Sequence, residues 1–519
     1  MRINLLALST LKSWQAYLLA FLLGLSTPFS FAPFDIWPIM PLSLAGLWLL
    51  ASHHNHPGKL GFVYGLGWFG YGVSWVHVSM AQFGGMPLAA SLGLMLLLVS
   101  YLSLFPSLAM HLAFRWARNY SIGFYLVYLP SCWLLTEWLR SWLLTGFPWL
   151  QPGYSQLASP LSAFAPYLGV LGVSAATFVL SGILAYGFLN PKHRLPLAAL
   201  IVLSAVALMI VKPIQWTKDS SSLELALVQG NIDLNQKWLR KNRVPMLQRY
   251  QELSLAQPQA DVIIWPESAI AATEFETLGF LESLDRRLLE RQQALVTGII
   301  ALDYQSNHFY NAMITLGQYT LPNTDQSTEH EQLSYEFEGD NRYYKQHLLP
   351  IGEFVPFETI LRPLAPFFNL PMSSFARGDS TQKNLVVKGQ QWIPAICYEI
   401  AFSELVRKYA NKHSDAIITV SNDTWFGSSI GPEQHLQIAQ MRALELQRPV
   451  IRSTNSGVTA IIDRRGQINA KAASFEEATL VANITGAQGL TPFQRWGERP
   501  LLYVMLLVLV VYRFRFKGK

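Results

Sequence analysis

The sequence predicts an α-helical transmembrane bundle of about eight spans joined to one layered α/β domain. Three observations predict this division of the 519-residue chain. Hydrophobic residues make up 51% of the chain and charged residues only 14%, a balance typical of a protein that lies partly in lipid. Seven apolar stretches fill the first 211 residues, and an eighth lies near the C-terminus. Between them, short β-rich runs alternate with helical segments from about residue 220.

The predicted spans differ in length. The first, second and last are shorter than the roughly 20 residues that cross a bilayer, so flanking residues must complete them. The spans are Lys12–Thr27, Ile36–Ser52, Gly61–Val78, Pro87–Phe114, Ile122–Leu144, Leu161–Leu189, Leu195–Val211 and Leu501–Tyr512. Because further apolar runs follow the first one at once, a cleaved signal peptide is a poor fit. We therefore expect spans one to seven in residues 1–215, an outer domain in 216–495, and the eighth span with a basic tail in 496–519.

The basic residues predict the orientation. Lys or Arg occurs before the first span, in every second loop and after the eighth span, whereas three loops contain neither: Pro28–Asp35, Ser79–Met86 and Thr145–Pro160. By the positive-inside rule both termini face the cytoplasm, and the α/β domain lies in the periplasm of a bacterium with two membranes. The net charge of +6 is explained by this topology, and it predicts no nucleic-acid partner.

Two charged residues fall inside the fifth predicted span. Glu137 and Arg140 are three residues apart and therefore share one face of a helix. Charges at this depth are expensive and are usually paired. We expect a structural ion pair, and the alternative is a polar entrance to an active site.

The outer domain is predicted to be α/β with a layered sheet core, because several of its strands are almost entirely apolar, as in sheets covered on both faces. The predicted strands are Leu223–Val228, Asp261–Trp265, Ala294–Ile300, Asn311–Leu316, Trp392–Cys397, Ala416–Val420, Val458–Ile462 and Thr479–Ile484. The predicted helices are Arg243–Ala256, Phe280–Arg291 and Glu433–Gln447.

One cysteine of this domain suggests chemistry. Cys397 lies where a strand turns into a predicted helix, Ile400–Tyr409, whereas the other cysteine, Cys132, lies in an apolar span, so the two are not expected to pair. An unpaired cysteine in an oxidising compartment invites a chemical explanation. The alternative is a small buried hydrophobic residue.

A nucleophilic thiol needs a base and a donor for the oxyanion. Glu267 follows an apolar strand and a proline, which places a carboxylate at the end of a strand, as a general base requires. Lys345 supplies a cation that would lower the thiol pKa and stabilise the oxyanion, and the dipole of the helix after Cys397 also favours thiolate. Taken singly, these residues also fit a solvated carboxylate and a surface lysine.

Together and in this order, the three residues resemble the nitrilase superfamily, whose Glu–Lys–Cys triad sits on an αββα sandwich. The resemblance covers roughly residues 220–490, with Glu267 as the base, Lys345 as the lysine and Cys397 as the nucleophile. It also implies that Glu353 is a second carboxylate, which positions the lysine and helps proton transfer. Further segments resemble parts of the superfamily: Ser421–Gly427, Arg442–Glu445 and Arg452–Gly457.

Such a domain between seven spans and an eighth resembles the apolipoprotein N-acyltransferase family. The resemblance implies a ping-pong reaction in which Cys397 takes an acyl chain from a phospholipid, typically from the sn-1 position of phosphatidylethanolamine. The α-amine of a diacylglyceryl-modified apolipoprotein then attacks the thioester. Glu267 would deprotonate first the thiol and then the amine, and Lys345 with a backbone amide near Cys397 would bind the oxyanion. No cofactor and no metal are implied.

The resemblance also implies supporting residues. Trp238 matches a family aromatic near the acyl site, although an ordinary packed tryptophan is the alternative. Tyr398 and Glu399 follow the nucleophile and would shape its pocket, and Glu399 also fits a plain acid at a helix N-terminus. The apolar, proline-rich segment Pro356–Arg377 fits a lipid-facing arm, with a packed loop as the alternative.

Two other functions compete with this one. A membrane-tethered nitrilase-type amidase would pass its thioester to water, but a soluble amide substrate needs only one membrane anchor. A catalytically inactive lipoprotein-binding module is disfavoured because Glu267, Lys345 and Cys397 are all present. We expect a monomer, since lipid can cover the apolar surface.

Overall fold

The computed structural model describes residues 10–115, 120–212, 214–318, 334–354 and 374–517. Its N-terminal part is helical. The helices there are α1 (Ser13–Ser26), α2 (Ile39–Ala51), α3 (Pro57–Gly72), α4 (Trp75–Val78), α5 (Leu88–Arg115), α6 (Leu129–Arg140), α7 (Ala165–Leu189) and α8 (Arg194–Val211).

Among the described residues, three helical segments are long and apolar enough to cross a membrane: Leu88–Arg115, Pro160–Leu189 and Pro191–Val211. Other predicted spans are shorter or divided. The predicted third span contains two helices, α3 and α4, and the fifth consists of a π-helical turn at Phe124–Tyr128, helix α6 and a short 3₁₀ turn at Leu143–Thr145. The expected number of about eight spans therefore stays a prediction.

Glycines bring the first helices into close contact. A Cβ atom at Gly24 would lie 2.0 Å from the carbonyl oxygen of Tyr64, and one at Gly67 would lie 2.3 Å from that of Phe21. Helices α1 and α3 can approach this closely only because both positions lack a side chain. This is the small-residue packing that joins helices in lipid, where burial of apolar surface provides little driving force.

The ion pair predicted within the fifth span is present. Arg140 Nη2 donates to Glu137 Oε2 at 2.5 Å, and both side chains are buried. Arg140 Nη1 donates to the carbonyl oxygens of Phe147 and Trp149 at 2.6 and 2.7 Å. The pair therefore also anchors the segment that follows α6, and this segment reaches the outer domain.

The outer domain contains two sheets. Its strands are β1 (Thr217–Gln229), β2 (Val262–Ile264), β3 (Ile270–Thr273), β4 (Ala294–Asp303), β5 (His308–Leu316), β6 (Arg342–Tyr344), β7 (Leu385–Val387), β8 (Gln390–Ile396), β9 (Ser414–Ser421), β10 (Val450–Thr454), β11 (Ala460–Ile462), β12 (Ile468–Lys471) and β13 (Ala478–Gly489). The first sheet has the order β13-β1-β2-β4-β5-β6 with β3 beside β4, and the second has the order β12-β11-β10-β9-β8-β7.

Helices cover the outer faces of the two stacked sheets. The remaining helices are α9 (Leu234–Lys237), α10 (Arg243–Leu255), α11 (Leu278–Glu290), α12 (Ser403–Tyr409), α13 (Gly431–Leu446), α14 (Pro492–Trp496) and α15 (Arg499–Lys517). Alternate residues of β1 face opposite sides: Leu225 and Leu227 join the core shared with the second sheet, whereas Ala226 and Val228 pack with α10 and α11. The layers are thus helix, sheet, sheet and helix, as expected.

The predicted elements are confirmed with shifted ends, but five short strands among the described residues were not predicted. The three predicted helices correspond to α10, α11 and α13 within two residues at each end. The missed strands are β3, β6, β7, β10 and β12, which have three to five residues each. Such lengths show no clear periodicity, and β10 carries the polar sequence Val-Ile-Arg-Ser-Thr although all five of its residues are buried.

The buried ion pair of α6 predicts a large loss of stability. Arg140→Met leaves Glu137 as an uncompensated buried charge and removes the donors of two carbonyls. We expect a loss of about 3–5 kcal/mol, seen as a lower Tm of the detergent-purified protein. Because Glu137→Gln removes the stranded charge, the double variant should unfold at a higher temperature than Arg140→Met alone. A double variant that is no more stable would contradict this account.

Candidate active site

Glu267 lies directly beyond the carboxyl end of β2, after Trp265 and Pro266. Its Oε1 accepts a hydrogen bond from Asn311 Nδ2 at 2.8 Å, and its Oε2 accepts one from the Asn422 amide at 3.0 Å. Asn422 follows β9 of the second sheet, so the two sheets meet at this carboxylate. A Cβ atom at Gly298 would lie 2.7 Å from Glu267 Cα, which explains why only glycine fits beside it.

Lys345 lies directly after β6 and is almost completely buried. Its Nζ lies 2.9 and 2.8 Å from the two carboxylate oxygens of Glu353 and 3.6 Å from Glu267 Oε1. Burial lowers the pKa of Lys345, but the charges of Glu353, Glu267 and Cys397 outweigh it and raise the pKa above its ordinary value. The lysine is therefore a permanent cation between two carboxylates.

Glu353 and Asn311 complete this polar cluster. Asn311 Nδ2 donates to Glu353 Oε1 at 2.9 Å as well as to Glu267, and the Leu349 amide donates to Glu353 Oε2 at 2.8 Å. The side chain of Asn311 thus holds the two carboxylates at a fixed separation around the ammonium group. It was not predicted, although a polar residue in an otherwise apolar strand was a signal that could have identified it.

Cys397 begins a 3₁₀ turn, Cys397–Ala401, directly after β8. Its φ of +52° lies in the left-handed region, which is uncommon for a residue with a side chain and recurs at functional turns. The residue is partly exposed but its thiol is buried, and the thiol lies within the electrostatic influence of Glu267, Lys345 and Ser421. The three predicted residues therefore meet at one edge of the two sheets.

Lys345 lowers the pKa of the Cys397 thiol, as expected, but two other effects outweigh it. Burial and the charge of Glu267 raise the pKa of Cys397 well above its ordinary value, and Lys345 offsets only part of this rise. The predicted α-helix after the thiol is also shorter than expected. The 3₁₀ turn intervenes and α12 begins only at Ser403, so a long helix dipole does not point at the sulfur.

Glu399 is fully buried, and its carboxylate accepts hydrogen bonds from two separate backbone segments. Its Oε2 accepts from the Ile396 amide at 2.7 Å, and its Oε1 accepts from the amides of Gln346 and His347 at 2.7 and 2.9 Å and from Tyr343 Oη at 2.9 Å. One carboxylate thereby ties the segment after Lys345 to the end of β8. Burial raises its pKa to about 7, against the effect of these donors.

Tyr398 and Trp238 lie on different sides of the site. Tyr398 is buried, and its hydroxyl donates to the Gly146 carbonyl at 3.1 Å, in the segment after α6. Trp238 is 38% exposed and its ring lies beside Lys237. Lys237 is itself buried, donates to the Glu267 carbonyl at 3.0 Å, and has a pKa lowered by burial to about 8. Of the predicted arm, residues 356–373 lie outside the described part of the chain.

A buried network behind the thiol was also missed. Asp423 accepts hydrogen bonds from Ser421 Oγ at 2.6 Å and from Arg452 Nη2 at 2.5 Å, and it faces His435 Nδ1 at 3.1 Å. Burial opposes ionisation, but Arg452 and His435 hold the pKa of Asp423 well below its usual range. The segments that contain Asp423 and Arg452 were identified from the sequence, but the pairing of these two residues was not predicted.

Comparison with known proteins matches both parts of the chain. Residues 23–183 match the apolipoprotein N-acyltransferase N-terminal domain, and residues 224–489 match the carbon-nitrogen hydrolase model. An apolipoprotein N-acyltransferase of Vibrio cholerae is 46% identical over 488 residues, which is 93% of this chain and 94% of the relative. The chain belongs to the apolipoprotein N-acyltransferase family. Another member, from Shewanella oneidensis, is 45% identical over 95% of this chain and 94% of its own length.

The carbon-nitrogen hydrolase match spans every residue of the polar cluster and the thiol. A solved structure of Saccharomyces cerevisiae Nit3, described as a member of branch 10 of the nitrilase superfamily, is 18% identical with a TM-score of 0.35, covering 51% of this chain and 91% of its own.

The raised thiol pKa predicts slow alkylation of the resting protein. In a Cys132→Ala background, the rate with iodoacetamide should rise about tenfold per pH unit between about pH 6 and about pH 9, because the thiolate fraction follows the pKa. Lys345→Met removes the charge that lowers this pKa and should slow alkylation about tenfold or more at a fixed pH. Lys388→Met is the control and should leave the rate unchanged, because this exposed lysine donates to the Gln292 carbonyl away from the site. A rate that is independent of pH over this range would contradict the raised pKa.

Proposed function

We propose that the chain N-acylates apolipoproteins by a ping-pong reaction through a Cys397 thioester. Its family membership supports an acyltransferase acting on lipoproteins at a membrane. The convergence of Glu267, Lys345 and Glu353 beside the Cys397 thiol supports these residues as the reacting and positioning groups. The proposed acyl donor is a phospholipid, phosphatidylethanolamine, and the proposed acceptor is the α-amine of a diacylglyceryl-cysteine.

In the first half-reaction, Glu267 takes the proton of Cys397 as sulfur attacks the ester carbonyl of the phospholipid. The tetrahedral oxyanion is stabilised by the Lys345 ammonium and by the backbone amide of Tyr398. Collapse breaks the ester C–O bond, and Glu267 returns the proton to the departing lysophospholipid oxygen. Glu353 orients Lys345 through two short contacts, and Asn311 holds both carboxylates in place.

In the second half-reaction, the lipoprotein amine attacks the thioester carbonyl and loses a proton to Glu267. The same ammonium and amide stabilise the second oxyanion. Collapse forms the amide, breaks the C–S bond and releases sulfur, which regains the proton from Glu267. One base and one oxyanion site serve both steps, because each lipid substrate occupies the same place in turn.

A lipid substrate is supported by the contact between the turn that contains Cys397 and the segment after α6. Tyr398 bonds to Gly146 of this segment, and next to Gly146 lie Trp142 and Leu144, which are 49% and 58% exposed. The segment has left-handed φ values at three successive residues, 144 to 146. Exposed apolar side chains in a segment that contacts the turn of Cys397 suit an acyl chain better than a soluble amide.

The proposed topology has about eight spans, with both termini in the cytoplasm and the catalytic domain in the periplasm. It assigns residues 1–215 to spans one to seven, 216–495 to the catalytic domain, and 496–519 to the last span and the basic tail. The distribution of Lys and Arg supports it. A monomer suffices for the reaction, since every proposed reacting group belongs to one chain.

Reporter fusions test this topology. Green fluorescent protein fused after Lys519 should fluoresce, because it stays in the cytoplasm, whereas alkaline phosphatase there should be inactive. Phosphatase inserted in place of residues 319–333 should be active if the domain lies in the periplasm. The reverse pattern of the two reporters would overturn the orientation.

Intact-mass measurement tests the reaction. After incubation with phosphatidylethanolamine vesicles, the wild-type protein should gain one fatty-acyl mass, which a diacylglyceryl-cysteine peptide removes. Cys397→Ala should gain none while still inserting in the membrane. Glu267→Gln should slow acylation by about 10²–10⁴-fold, the usual contribution of a general base.

Each other outcome selects another function. An acyl mass that only water removes would favour the amidase. No acyl mass with any lipid would favour the binding module. Undiminished acylation of Cys397→Ala would end the assignment of the nucleophile.

A further inference from the structure

A buried histidine on α13 contacts the peptide unit that follows the thiol. His435 Nε2 lies 3.2 Å from the carbonyl oxygen of Cys397, and the ring is fully buried. None of the proposed steps uses this residue. Its contact is to backbone rather than to the sulfur, so any role must act through the shape of the turn at Cys397.

The ring of His435 is held from two directions. Nδ1 faces Asp423 Oδ1 at 3.1 Å, and Asp423 is itself fixed by Arg452 and by Ser421. From the helical part of the chain, the ring of Trp149 lies 5.5 Å from His435, centroid to centroid, and Trp149 Nε1 donates to Gln434 at 2.7 Å. The imidazole therefore has little freedom to move away from the carbonyl.

The hydrogen-bonding partners place a proton on Nε2. Both ring nitrogens face acceptors, so a singly protonated ring satisfies one of them and a doubly protonated ring satisfies both. The Asp423 carboxylate faces Nδ1 and has room for a further donor besides Ser421 and Arg452, and the Cys397 carbonyl faces Nε2. We assign a proton to each nitrogen on these partners, so the ring pairs with Asp423 through Nδ1 and donates to the Cys397 carbonyl through Nε2.

Peptide planarity connects this contact to the oxyanion. The carbonyl of Cys397 and the amide of Tyr398 belong to one planar trans unit, so they point in opposite directions. A left-handed residue such as Cys397, with φ of +52°, can relax by rotating this unit. Holding the carbonyl on one side keeps the amide hydrogen pointing to the other side.

We propose that His435 is a positioning residue, which donates to the Cys397 carbonyl and thereby aims the Tyr398 amide at the oxyanion. The inference rests on the proposed function, because it needs Cys397 as the nucleophile. His435 touches neither substrate nor sulfur in this role. Asp423 and Trp149 support it by keeping the ring in place.

Two substitutions separate the two contacts of the ring. Glutamine at this position places an amide nitrogen near the position of Nε2, and asparagine places one near the position of Nδ1. We expect His435→Asn to slow acyl-enzyme formation about 100-fold, near the effect of losing one oxyanion donor. His435→Gln, which keeps the donor to Cys397, should stay within about fivefold of wild type, and the KM for phospholipid should be unchanged in both variants.

Alkylation of Cys397 distinguishes positioning from general damage. Iodoacetamide reacts by displacement and forms no oxyanion, so both variants should alkylate within about twofold of the wild-type rate. Parallel losses of alkylation and acylation would overturn the proposal, as would equal acylation rates in the two variants. If His435→Asn fails to accumulate in membranes, His435→Met, which matches glutamine in length but has no donor, takes its place.

The wild-type protein and Cys397→Ala are measured in the same assay. A wild type without a removable acyl group would refute the proposed function itself, and the role of His435 would fall with it. A wild type that acylates normally, together with a fast His435→Asn variant, would refute only the role of His435.

Discussion

The site depends on one physical constraint, which is that a buried ammonium group must be paired. Lys345 is almost completely buried, and only carboxylates with suitable geometry can compensate for its desolvation. Glu267 from the end of β2 and Glu353 from the segment after β6 therefore have to converge on it. Because Asn311 of β5 donates to both carboxylates, strands β2, β5 and β6 of one sheet are connected through this cluster.

The N-terminal helical part of the chain and the α/β domain both contact the site. The segment after α6 is anchored by Arg140, whose guanidinium holds the carbonyls of Phe147 and Trp149. The carbonyl of Gly146 in this segment accepts a hydrogen bond from Tyr398, which follows the thiol, and Trp149 packs against His435 of α13. A charge pair in an apolar helix is expensive, and here it holds backbone that contacts the turn containing Cys397. Both side chains are buried, so the pair has the structural role expected of it and does not line a polar entrance.

The sequence predicts the positions of the thiol, the base and the lysine because each follows a recognisable apolar strand within a motif. It also predicts the layered sheets, since buried strands are apolar on both faces. It does not predict β10, because Arg452 makes that strand look polar until its partner Asp423 is known. Asn311 was missed for a similar reason, because its role depends on hydrogen bonds to two carboxylates from distant segments. The sequence predicts that Lys345 lowers the pKa of Cys397 but not that burial outweighs this effect, because burial depends on the packing of the whole site.

The raised pKa of the Cys397 thiol is chemically advantageous in the periplasm, where this domain is proposed to lie. A thiolate in an oxidising compartment reacts with disulfides and oxidants, at a rate that follows its ionised fraction. Burial and Glu267 raise the pKa of Cys397 and so favour its protonated form, which reacts slowly with oxidants. In the proposed reaction, attack by sulfur on a carbonyl moves negative charge to an oxygen beside Lys345, and Glu267 accepts the proton. Under this proposal a nearby base and a high thiol pKa are compatible, because the thiol loses its proton as it attacks.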